Sequence, residues 1–193
     1  VTTPPCRRAA PLPPEERREA IVDAVTPLLI ERGDDVTTRE LAQAAGVAEG
    51  TIFSVFEDKD AVLDAVLDAV LDPRPFERAV AELREAGIDE TFPELLKEAT
   101  ALMQQRFGNI WRIVSTIGHR HDRPRQTLPD SEALTELIAA HPDRLRMPPR
   151  DAARLLRSLT FACSHPLLTA EPSTPAEIVD LFLHGVGYEE RRP

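Results

Sequence analysis

From Glu15 onward, Ile21, Ala24, Val25, Leu28 and Leu29 recur at three- and four-residue spacing, which predicts a helix stopped by Gly33. Pro27 lies inside that stretch and predicts a kink, because it removes one backbone hydrogen bond at a cost of about 3 kcal/mol. Thr37 and Glu40 stand three apart, the spacing of a reciprocal cap, so a second helix is expected from Thr38 to about Ala45. Gly46 then permits a left-handed turn, Val47 points inward, and a short third helix runs from Ala48 to about Phe56, with Ile52 and Phe56 four apart. Two short helices around one glycine turn make a helix-turn-helix. A fourth, longer helix follows. Its Asp60, Asp64, Asp68 and Asp72 repeat every four residues between Ala-Val-Leu blocks, and like charges at that spacing repel, so this ridge is expected to face water.

The helical pattern continues beyond Asp72-Pro73-Arg74-Pro75. Phe76, Val80 and Leu83 lead to Gly87. A second capping box at Thr91 to Glu94 opens a stretch carrying Leu95, Ala99, Leu102 and Met103 that is expected to stop at Gly108, and Ile110, Trp111, Val114 and Ile117 form a separate one. A loop holding His119, His121 and several Arg and Pro residues reads as exposed. Further helices are expected over Ser131 to Ala140, over Asp151 to Ser164, and from Thr174-Pro175-Ala176-Glu177 onward. No stretch alternates convincingly over β-branched residues. The class is therefore all-α, an N-terminal three-helix head with helix-turn-helix followed by a C-terminal helical domain. The boundaries read as a Pro/Arg-rich arm at 1–14, a head with its fourth helix at 15–72, and a helical domain at 73–193.

Composition narrows the function classes. The 193 residues carry a net charge of −10 with 42% apolar and 29% charged residues, enough apolar material to build a core. No apolar run approaches the roughly 20 residues that cross a bilayer, and no signal-peptide pattern opens the sequence, so neither membrane insertion nor secretion is expected. Cys6 and Cys163 are too few for a disulfide framework or a zinc module, and a reducing cytoplasmic interior suits them. His119 and His121 stand two apart, and Cys163 and His165 sit at a helix end. No zinc-protease, Cys-x-x-Cys, phosphate-loop or nucleophile-elbow motif accompanies them, so no catalytic residue, metal site or cofactor is expected.

The stretch from Thr37 to Leu63, with its Ala45-Gly46-Val47 turn, the Gly50-Thr51 pair, Phe53, Phe56 and Lys59, resembles the DNA-binding signature of the tetracycline-repressor (TetR) family, a likeness that extends over residues 17 to 71. The resemblance implies a ligand-responsive, sequence-specific transcriptional regulator, a homodimeric repressor on a palindromic double-stranded DNA operator, located in the bacterial cytoplasm with the nucleoid. A recognition helix enters a major groove about 12 Å wide, so small residues such as Ala48 and Gly50 suit its tip. Thr51 can meet a phosphate or a thymine methyl, Ser54 lies one turn further on, and the helix start at Thr37 and Thr38 offers amides to a phosphate. Lys59 adds a point charge. Arg39 is the long donor able to reach a guanine edge or a phosphate.

Three features depart from the family pattern. Ala48-Glu49 stands where relatives carry Ser-Lys. Phe53 lacks the hydroxyl of the usual tyrosine, worth about 1 kcal/mol as a phosphate contact. Residues 1–71 hold seven Arg or Lys against fourteen Asp or Glu, a charge of −7. Glu49 can accept from a cytosine amino group or simply be solvated.

The same resemblance implies a small-molecule pocket and a four-helix dimer interface in the second domain. Met103, Phe107, Trp111, Val114 and Phe161 are the pocket candidates, although all five suit plain core packing. Arg106 and Arg112 can neutralise an anionic ligand or face solvent. Leu155, Leu156, Leu159, Leu181 and Phe182 form the stripe expected at the dimer interface, with packing inside one subunit as the alternative. A helical ligand-binding or protein-interaction module whose DNA-binding head has lost function is the competing reading.

Overall fold

A computed structural model describes residues 13–86, 91–117 and 129–185. Among these residues there are nine α-helices, one short 3-10 turn and no strand. Four helices make the head: α1 (Pro14–Arg32), α2 (Thr38–Ala44), α3 (Glu49–Val55) and α4 (Lys59–Leu71). Helix α1 opens on Pro14, whose missing N–H would be unsatisfied there in any case, and Glu15 and Glu16 favour the positive end of its dipole. The helix continues through Pro27, where a kink was expected. The Thr26 hydroxyl donates to Val22 O at 2.6 Å beside the gap, and Ile21, Val22, Val25 and Leu29 are buried on one face. That burial outweighs the single lost backbone bond.

Helix α1 ends at Gly33, whose N–H donates to Leu29 O at 2.8 Å. Its φ of 64° and ψ of −139° lie in a region closed to other residues. The α2–α3 turn is closed by Gly46, φ 65°, with Gly46 N donating to Gln43 O and Val47 N to Ala42 O. Asp58 caps α4 through Ala61 N at 2.8 Å. On the acid ridge Asp60 and Asp68 are exposed, while Asp64 and Asp72 are half-buried and Asp72 is paired with Arg74 at 2.7 Å. The apolar faces of α1 to α4 close on one core around Val25, Leu29, Leu41, Ile52, Leu63 and Val66.

The remaining helices are α5 (Arg74–Ala86), α6 (Phe92–Ile117), α7 (Glu132–Ala139), α8 (Pro149–Ser164) and α9 (Pro175–His184). They enclose a second core around Leu96, Met103, Leu134, Leu137, Ile138 and Leu156. The break expected at Gly108 is absent, and α6 runs unbroken for 26 residues. A helical glycine costs about 1 kcal/mol, less than the burial secured on either side of it. Met103 and Phe107 are held in the second core and Ile113, at 0% exposure, in the first, so α6 belongs to both. Asp130, ahead of α7, binds Arg150, Arg154 and Arg157 and fastens the start of α7 to α8. The expected cap of α9 is formed, with Glu177 N donating to Thr174 Oγ1 and Thr174 N to Glu177 Oε2. Residues 1–12 with Cys6, Gly87, and the loop with His119 and His121 lie outside the described residues. Within them no helix is long and apolar enough to cross a membrane.

Candidate nucleic-acid interface

The α2–turn–α3 unit is held from behind by Leu41 and Ile52, both at 0% exposure, which leaves its opposite side outward. Ala48, Glu49, Gly50, Phe53 and Ser54 are exposed there and Thr51 is half-buried. Phe53 is 51% exposed, a large apolar surface on a helix only seven residues long. The Ser54 hydroxyl donates back to Thr51 O at 2.7 Å and stays free to accept. A Cβ at Gly46 or Gly50 would meet nothing within 4 Å, so neither glycine is required by packing inside the chain. Arg39 is exposed on α2 and makes no hydrogen bond or ion pair with a described residue.

Two expected contacts are used internally. Thr37 N–H and Thr37 Oγ1 both donate to Glu40 Oε2 at 2.8 Å, while Glu40 N donates to Thr37 Oγ1. The helix start thus already holds a carboxylate where a phosphate was expected, and Thr37 is a structural cap. Thr38, half-buried, and Arg39 remain. Lys59 is half-buried and its Nζ donates to Asp34 O at 2.5 Å, tying α4 to the loop after α1. An ammonium has three donors, so this tie leaves two for a phosphate.

Glu40 is a residue the sequence reading used only as a cap. Arg32 pairs with it at 2.7 Å, and the Thr37 backbone N–H followed by Arg32 lowers its pKa from 4.5 to about 2. Arg154, followed by Arg150, lowers Asp130 from 3.8 to about 2. Both carboxyls bind protons more tightly in the unfolded chain. The stability they supply is complete above about pH 4.5 and is lost as pH falls towards 2. The unfolding midpoint is therefore expected to drop across that window, and the double change Glu40→Gln with Asp130→Asn to flatten the drop, as read by circular dichroism melts at pH 2 to 7.

The second-domain candidates divide. Phe107 and Phe161 meet edge-on at 5.6 Å, and His165 joins them, 4.7 Å from Phe161 and 4.2 Å from Trp111. Met103 is 2% exposed within the core, and Val114 is 37% exposed. Sequence reasoning passed over His165 and Gln104 as members of this cluster. Gln104 stands three residues before Phe107 and seven before Trp111, and that helical spacing was the available signal. Arg106 does not face a ligand space. Its guanidinium donates to Asp72 O at 2.6 Å and Leu71 O at 2.9 Å, the final carbonyls of α4, and burial lowers its pKa. Arg112 lines an open cleft between α1 and α6 with Pro27, Glu31 and Thr116. In the interface stripe Leu155 is 39% exposed, and Leu159, Leu181 and Phe182 are half-buried. Leu156 is wholly buried against its own subunit's core and is not available to a partner. Among the described residues no group of three His, Cys, Asp or Glu side chains is placed to hold a metal ion.

Residues 21–66 match the family described as bacterial regulatory proteins, tetR family. The HTH-type transcriptional repressor Rv3405c of Mycobacterium tuberculosis is 32% identical over 172 residues, covering 83% of this chain and 87% of that protein. The chain belongs to the TetR family of transcriptional regulators. Solved TetR-family structures share the fold at lower identity. A family member from Mesorhizobium loti, 16% identical, covers 90% of this chain and 98% of its own at a TM-score of 0.61. One from Streptomyces coelicolor, 21% identical, covers 88% and 97% at 0.53. The matched span, residues 21–66, takes in the whole α2–turn–α3 unit.

Proposed function

We propose that the chain is a ligand-responsive repressor acting as a homodimer on a palindromic operator, with α3 and the start of α2 in the major groove of each half-site. The observation that carries this reading is the outward face of α2–turn–α3, where an unengaged Arg39 and a bare helix tip stand on a head with its own core. Ala48, Gly50, Thr51 and Ser54 shape the tip, Phe53 presses on sugar or a thymine methyl, Glu49 faces base edges, and Thr38 and Lys59 meet phosphates. Leu155, Leu159, Leu181 and Phe182 would meet a second copy through α8 and α9. Arg106 couples the two domains. It precedes Phe107 on α6 and grips the last carbonyls of α4, so a ligand that displaces α6 pulls on the head. Such a ligand works only through unequal affinity for the two head arrangements.

A fluorescence-anisotropy titration on an operator duplex at 50 to 200 mM salt tests this reading. Affinity should fall with a steep slope in log salt. Arg39→Ala should cost about 1–3 kcal/mol, some 5- to 150-fold in Kd. The acid-rich head, with Glu49 and Phe53 in place of lysine and tyrosine, favours one second reading, a helical ligand-binding module with a silent head. Binding that is equally weak with and without Arg39 would favour that module.

A further inference from the structure

Thr100 is 0% exposed on α6, and its hydroxyl is the one buried side-chain polar atom among the described residues that lacks a hydrogen-bond partner. Three other helical threonines turn back to the carbonyl one turn earlier, Thr26 to Val22 O, Thr135 to Ser131 O and Thr160 to Leu156 O. Thr100 does not, and an unmet buried hydroxyl weakens the fold. Gln104 follows one turn later. Its Nε2 donates to Ser164 Oγ at 2.9 Å and Ser173 O at 2.8 Å, and its Oε1 receives no hydrogen bond from a described residue. Phe107 and Trp111 continue the same face of α6, with Phe161 and His165 opposite them. An unmet buried hydroxyl and a half-buried amide's oxygen with no donor among the described residues therefore lie one helical turn apart beside an aromatic cluster.

We propose that the seam between α6 and α8 takes a phenolic ligand, whose ring lies among Phe107, Trp111 and Phe161 and whose hydroxyl accepts from Thr100 and donates to Gln104 Oε1. Ligand binding in the second domain, as proposed above, is the reading on which this rests. A hydroxyl matches both groups at once, since it accepts and donates from one atom. A hydrocarbon of the same shape leaves the Thr100 hydroxyl unpaired, and binding sites built on hydrogen bonds discriminate against ligands lacking the group.

Trp111 is the single tryptophan of the chain, so its emission on excitation at 295 nm reports on the seam. The full-length protein is titrated with 4-butylphenol and with butylbenzene, in the wild type, Thr100→Val and Thr100→Ser. The phenol should bind at least about five-fold tighter than the hydrocarbon, the worth of one net hydrogen bond. Thr100→Val should lower that preference several-fold, the bond to Gln104 Oε1 remaining, without weakening butylbenzene, and should raise the melting temperature of the free protein, while Thr100→Ser keeps the preference. If neither compound moves Trp111 emission, ligand binding in this domain fails along with the inference. If both bind equally to the wild type, the pocket stands and the phenolic assignment falls. A preference undiminished in Thr100→Val, or a melting temperature that does not rise, removes Thr100 from the role.

Discussion

Gly33→Ala is expected to destabilise the chain by about 2–5 kcal/mol and to loosen the head from α6. At φ 64° and ψ −139° a side chain is strained on the order of 1–3 kcal/mol. The added Cβ would also stand 2.4 Å from Thr116 Cγ2 and 2.9 Å from Thr116 Cβ, an overlap that costs about 1–3 kcal/mol to relax. These two costs separate experimentally. Thr116→Ala removes the shorter contact and leaves the backbone strain, so adding it to Gly33→Ala should restore only part of the loss. Urea unfolding of the two single variants and the double variant measures the coupling. Full additivity would mean that Gly33 and Thr116 do not meet.

Ile113→Ala should be equally costly for a different reason. Ile113 leaves the helix that organises the second core and is fully buried in the first, beside residues of α1 and α4. Truncation leaves a cavity where neither core can easily collapse, at about 2–5 kcal/mol, against a total stability on the order of 5–15 kcal/mol. The loss should fall on the head. In thermal melts followed by Trp111 emission and by far-UV circular dichroism, the two signals should separate, because Trp111 sits in the second-domain cluster. A variant whose probes still coincide at the wild-type midpoint would show that Ile113 carries no such load.

The helix starts and the turn were legible because they depend on local chemistry. Thr37 with Glu40, Thr174 with Pro175 and Glu177, and Gly46 each satisfy backbone groups within a few residues, so spacing alone places them. Gly108 was misleading for the opposite reason. Its local penalty is about 1 kcal/mol, and two cores distant in sequence outweigh it. Leu155 and Leu156 differ by one position, about 100° around a helix, and only the packing of α8 decides that the first faces out and the second in. In the site, exposure at α3 followed from motif position. The use of Lys59 by Asp34 O and of Arg106 by the end of α4 did not, because long polar side chains reach partners that no sequence spacing specifies.

Selection of bound sequences from a random duplex pool, in low salt and without added small molecules, tests the proposed role most directly. The expected result is a two-fold symmetric site whose halves lie about 34–36 Å apart or a multiple of that, with information at base positions that is lost in Arg39→Ala. A folded wild-type protein that enriches no sequence under those conditions would contradict it.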